Sequence, residues 1–214
     1  MPFWDRKIDI VFLTHPHADH LNGLISVLKR YEVIHYFTET GKKETNLEKL
    51  EKVVLAEKKL SAKEIFSGEY IETNDKVKIS ILWPEKSVSN LAMMSGDLDK
   101  NGMSLIQLLT YNDFKMLLTG DAEEPIEDKI AAEVGEITVL KVPHHGSYNG
   151  ISLNFLNLTS PDLAVISVGK NNRYNHPNKQ TIDFLKEKGV KTLRTDQIGE
   201  IEIISDGKNY KINE

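Results

Sequence analysis

The chain has 214 residues, 40% of them apolar and 28% charged, with a net charge of −5 and no cysteine. That balance belongs to a folded globular protein, and no apolar run approaches the ~20 residues of a membrane helix. The negative total argues against a protein that merely coats nucleic acid, and the lack of cysteine excludes disulfides, thiolate metal sites and cysteine nucleophiles, leaving His, Asp, Glu and Asn as metal donors.

In chain order, the apolar, branched run 8–14 predicts a buried strand, and 21–31, with Leu21, Leu24, Ile25 and Leu28 on one face, a helix. A strand over 33–37 and a second amphipathic helix over 47–59 follow. Strands are then expected at 63–66, 70–73 and 76–82, and a pair at 104–110 and 114–119 turns at Asn112 and Asp113. Interior-looking strands at 138–142 and 163–168 precede a helix over 181–188 that Gly189 ends, and the tail is a hairpin turning at Asp206 and Gly207. No linker or repeat interrupts this alternation, so a single α/β domain over 1–214 is expected, with mixed sheets covered by helices. The first buried strand begins only eight residues in, which suggests a piece of a larger domain whose first strands are absent and whose sheet edge is exposed.

The run HPHADH follows the first strand, so that three histidines and an aspartate fall within six residues. In an extended segment alternate residues share a side, so His15, His17 and Asp19 converge, with His20 at the start of the next helix. Imidazole and carboxylate suit zinc, manganese or iron. Three further segments offer donors after apolar strands: Asp121 in TGDAEE, His144 and His145 in VPHHGS, and His176 in RYNHP. Each has an ordinary alternative, as helix cap, loop or turn residue. Their joint position at successive strand ends, where α/β sheets build their sites, singles them out.

These segments together resemble the metallo-β-lactamase superfamily, and within it the hydrolase domain at the end of the ComEC family of bacterial competence and DNA-uptake proteins. The opening PFWDRKIDIVFLTHPHADHLNGL extends the likeness over essentially the whole chain. The resemblance implies an αββα four-layer sandwich with two divalent metal ions, zinc or manganese. His15 and His17 would hold the first metal, Asp19 and His20 the second, Asp121 would bridge them and His176 would complete the second site. Asp19 would also orient the attacking water, and His144 or His145 would lie beside the metals as a catalytic proton donor. The family usually has a further histidine between HPHADH and the aspartate, but 36–143 contains none, and Asp99 or Asn101 is the candidate substitute. The strands and DxG-type turn with which the family begins are also lacking.

Charge is unevenly spread: 95–137 carries a net −7 and 141–194 a net +5. Either solvated faces segregate or Lys141, Lys170, Arg173 and Lys179 form a basic flank for substrate phosphate, with Tyr148 and Tyr174 as loop residues or base-stacking partners. Three functions are therefore expected in competition. The first is a metal-dependent phosphodiesterase or nuclease with DNA as substrate, in the context of competence. The second is a metallohydrolase of a small ester, lactone, thioester or cyclic nucleotide. The third is a binding or assembly module with an incomplete metal site. A ComEC-like protein would place the domain in a larger membrane protein on the extracytoplasmic side, without membrane insertion by this segment. Otherwise it would be cytoplasmic.

Overall fold

The computed structural model of the chain describes residues 4–39, 45–95 and 100–213, with 91–95 by backbone alone. Asp99, a candidate donor, lies outside them. The described residues form two compact units, 4–67 with 83–105 and 68–82 with 106–213. No helix among them is long and apolar enough to cross a membrane.

The first unit is built on a parallel sheet of β1 (Lys7–Leu13), β2 (Glu32–Thr38) and β3 (Ala62–Glu64), in that order. Parallel pairing requires crossovers, which α1 (Ala18–Arg30) and α2 (Asn46–Glu57) supply. The helical spacing puts Leu21, Ile25 and Leu28 of α1 on one side, where they pack with Val11, Leu13, Tyr36, Val54 and Leu55 into one buried cluster. Thr45 caps α2 in a capping box with Glu48. Among the described residues β1 is an edge strand. It carries the charged Lys7 and Asp9, a pattern that discourages edge-to-edge pairing.

Helix α1 begins at Ala18, three residues before the predicted start. Asp19 therefore sits in the first helical turn, and the strand-like alternation expected to align it with His15 and His17 does not extend to it. Helix α3 (Lys86–Ser95) was not foreseen, although Val88, Leu91 and Ala92 have helical spacing. A short turn at Asn101–Met103 follows, its Gly102 carbonyl accepting the indole N–H of Trp83 at 2.7 Å.

At the end of β2, Glu39 is only 5% exposed, and burial raises its pKa to about 8, opposed by Lys100 and reinforced by Glu48, Glu64 and Glu51. From about pH 4.5 to 8 the folded chain holds a proton on Glu39 that the unfolded chain has lost. This group's contribution to stability therefore falls as pH rises through that window and is level above it. Glu39→Gln should match the parent near pH 4.5 and exceed it by on the order of 1–3 kcal/mol at pH 9, read from urea midpoints. A gain independent of pH would contradict the burial.

The second unit holds a seven-stranded sheet in the order β10-β9-β8-β7-β6-β5-β4. Its strands are β4 (Tyr70–Glu72), β5 (Lys78–Trp83), β6 (Ile106–Tyr111), β7 (Phe114–Leu118), β8 (Val139–Lys141), β9 (Leu163–Ile166) and β10 (Lys191–Arg194). From β7 to β10 the strands run parallel, while β6 and β7 form the predicted hairpin. The parallel strands are joined through α4 (Glu124–Val134), α5 (Leu153–Thr159) and α6 (Lys179–Glu187), and a short helix α7 (Thr195–Ile198) follows β10. The tail hairpin of β11 (Glu202–Ser205) and β12 (Tyr210–Asn213) sets Ile203, Tyr210 and Ile212 against the cluster of Phe114, Val139 and Leu163. Hence β7, β8 and β9 are an interior block whose C-terminal ends carry the loops that follow.

Candidate metal centre

In the first unit, β1 stops before Pro16, which has no N–H to give a ladder, and the chain stays extended through His17. The His17 carbonyl then accepts from the N–H groups of His20 and Leu21, opening α1. This short connection gathers three imidazoles: the His15 ring lies 4.7 Å from that of His17 and 4.2 Å from that of His20. His15 is fully buried, and its Nδ1 is 3.1 Å from the hydroxyls of both Thr14 and Ser104. A backbone bond from Leu105 N–H to the Thr14 carbonyl, 2.9 Å, brings Ser104 there. Fixing one ring nitrogen by a hydroxyl orients the other, the arrangement usual for metal-binding histidines. Asp19 is exposed. Asn101 is 8% exposed, and its buried Oδ1 has no hydrogen-bond partner among the described residues.

In the second unit Asp121 follows β7, 1% exposed. The loop after β8 (Pro143–Gly146) places His144 and His145 opposite it. His145 Nε2 is 3.6 Å and His144 Nε2 4.0 Å from Asp121 Oδ2. His145 Nδ1 lies 2.7 Å from the Ser167 carbonyl, which can only accept, so Nδ1 carries a proton and, in the neutral ring, Nε2 carries the lone pair. His144 Nδ1 is 3.5 Å from Glu123 Oε1.

His144, His145 and Gly146 have φ of 44°, 55° and 78°, the left-handed region that costs non-glycine residues on the order of 1–3 kcal/mol each. Several bonds hold them there: His144 N–H to the Gly120 carbonyl (3.2 Å), Ser147 N–H to the His144 carbonyl (2.9 Å) and Asn178 N–H to the Gly146 carbonyl (2.7 Å). At Gly146 a Cβ would lie 2.7 Å from that of Pro177, so glycine is required by space as well as by φ.

His176 joins this set, its ring 5.8 Å from that of His144. Asn172 clamps the backbone of His176, accepting from its N–H at 2.9 Å and donating to its carbonyl at 2.8 Å. Burial, followed by repulsion from His144 and His145 and against the pull of Asp121, lowers the His176 pKa and favours the neutral, ligating imidazole. Tyr174, 73% exposed, stacks on His176 at 5.7 Å and 20°. Tyr148, Lys170 and Arg173 are exposed, Lys179 is paired with Asp183, and Lys141 turns its ammonium inward.

Within the second unit, then, Asp121, His144, His145 and His176 come together, and within the first, His15, His17 and His20. The second set combines imidazole with carboxylate and the first brings three imidazoles together, and the rings of His15 and His145 are anchored through Nδ1, so the residues fit a divalent metal of the zinc, manganese or iron type. The Ser104 hydroxyl, the Ser167 carbonyl, Glu123 and the Asn172 clamp were not foreseen. Only Glu123, two residues from Asp121, had a signal in the sequence.

The β-lactamase superfamily domain matches residues 2–148. ComE operon protein 3 of Bacillus subtilis (strain 168) is 31% identical over 201 residues, 92% of this chain and 24% of its own length. Competence protein ComA of Neisseria gonorrhoeae is 34% identical over 109 residues, 50% of this chain and 16% of its own length. The chain thus spans about a quarter or less of these relatives. Among solved structures, the metallo-β-lactamase fold protein YhfI from Bacillus subtilis aligns over 96% of this chain and 78% of its own, with a TM-score of 0.52 and 9% identity. That likeness shows the fold expected from the motifs.

Proposed function

Because the chain belongs to the β-lactamase superfamily, with the metallo-β-lactamase fold of a metal-dependent hydrolase, we propose that it is a phosphodiesterase acting on DNA. By the motifs, His15 and His17 would hold one divalent ion, Asp19, His20 and His176 a second, and Asp121 would serve both, with Asn101 or Asp99 as the substitute for the absent histidine. Such ions supply Lewis acidity and a water activated at neutral pH.

The rest falls to the chain. Asp121 gathers the imidazoles by its charge. The Ser167 carbonyl holds His145 in the tautomer whose Nε2 is free of the proton. His144, with Nδ1 3.5 Å from Glu123 Oε1, would donate to the leaving oxygen from Nε2 in its doubly protonated form. Asp19, in the first turn of α1, orients the attacking water.

The observation that carries the substrate class is the loop around His176, where the exposed ring of Tyr174 stacks on the imidazole beside exposed Arg173 and Lys170. An aromatic face flanked by cations suits a stacked base and its phosphate. Similarity to competence proteins supports the same reading, and with it a place in a larger, membrane-associated protein of DNA uptake.

The test is incubation of the metal-loaded chain with single-stranded and duplex oligonucleotides. Cleavage is expected with manganese or zinc, absent after chelation and in His17→Ala, and Tyr174→Ala should raise KM roughly 5- to 30-fold. A folded, metal-loaded chain that leaves both DNAs intact would defeat the substrate assignment. Hydrolysis of small esters alone would point to the small-molecule reading.

A further inference from the structure

The loops that carry Asp121 and the His144–His145 pair come from the ends of adjacent strands, β7 and β8, and one backbone bond, His144 N–H to the Gly120 carbonyl (3.2 Å), joins them directly. The Lys141 ammonium, at the end of β8, lies 3.4 Å from the Gly120 carbonyl and 3.2 Å from the Val142 carbonyl. Gly120 directly precedes Asp121, and Val142 directly precedes the turn with the two histidines. Thr119 Oγ1 donates to the Lys141 carbonyl at 2.8 Å, so main chain and side chain of this lysine both tie one loop to the other.

We propose that Lys141 is a positioning residue of the metal centre, its ammonium cross-linking the Asp121 and His144–His145 loops and balancing the Asp121 charge from inside. Glu127 of α4, 1% exposed, is its second neighbour, and neither carboxyl oxygen has a hydrogen-bond partner among the described residues. Burial pulls the lysine below its ordinary pKa while Asp121 and Glu127 oppose that. Burial likewise drives Glu127 well above the carboxylate range, toward its neutral form. An ammonium with two carbonyl partners in a desolvated place acts as a fastener, and a lysine so placed does not reach out to substrate phosphate. The proposal rests on the reading of Asp121 and His145 as metal-serving residues.

The test compares Lys141→Met and Lys141→Arg with Val139→Ala, which weakens the same strand without touching either carbonyl. Two readouts are taken on the full chain: imidazole NMR resonances of the metal-free protein and affinity for manganese by titration. Lys141→Met should shift the His144 and His145 resonances and weaken manganese roughly 10- to 100-fold. Lys141→Arg should keep affinity within a few-fold, and Val139→Ala should lower Tm while moving neither readout. Parent-like resonances and affinity in folded Lys141→Met would overturn the proposal. Should methionine not fold, a tenfold loss in folded Lys141→Arg would overturn it and retained affinity would support it. A parent chain that binds no manganese would defeat the metal reading instead, while the imidazole resonances would still decide the role of Lys141.

Discussion

Asp121→Ala is expected to reduce metal-dependent hydrolysis by roughly a thousandfold or more, with the secondary structure intact. The carboxylate is 1% exposed and faces the Nε2 atoms of His145 and His144 at 3.6 and 4.0 Å. In the ligand role proposed for it, a carboxylate in so desolvated a place would have no replacement from solvent. Glu123, the neighbouring carboxylate, is turned to the far nitrogen of His144 and is partly exposed. The loss should therefore appear in kcat and in metal content together, read by steady-state kinetics and by metal analysis of the purified variant. Activity within tenfold of the parent would remove Asp121 from the centre.

His15→Ala should lose activity on a similar scale, roughly a hundredfold to a thousandfold, and should also lower stability because the ring is fully buried. Ser104→Ala removes only a hydroxyl that orients the ring, so a loss of roughly tenfold in metal affinity is expected. If serine acts only through the histidine, the double variant is no worse than His15→Ala. Equal additive losses in the cycle would show that Ser104 acts on its own.

Much of this centre could be read before any coordinates. HPHADH is local, and a strand end followed by an amphipathic helix is written in residues 8–31. Asp121, His144, His145 and His176 stood out for the same reason, each following an apolar strand. What escaped depends on contacts distant in the chain. Ser104 meets His15 across 89 positions, and the carbonyl that sets the His145 tautomer belongs to Ser167. Lys141 read as a basic flank because its type is visible and its direction is not. Its ammonium is turned inward to the carbonyls of Gly120 and Val142. Helices α4 and α5 were missed because their apolar stripes are short and broken by acidic or polar residues, and β10 because four residues leave little periodicity to find. The strand-like alternation that would align Asp19 with His15 and His17 fails, since helix α1 starts early enough to include it.

The left-handed turn after β8 has a consequence for how donors are packed. In a strand two consecutive side chains leave on opposite faces, and in a right-handed helix they diverge by about 100°. With both histidines at positive φ, neighbours in sequence address a single oxygen of one carboxylate. Two imidazoles are thus delivered from two adjacent positions, and inserting even one residue between them would send one ring elsewhere. The spacing of this pair is as binding a constraint on the chain as the identity of its members.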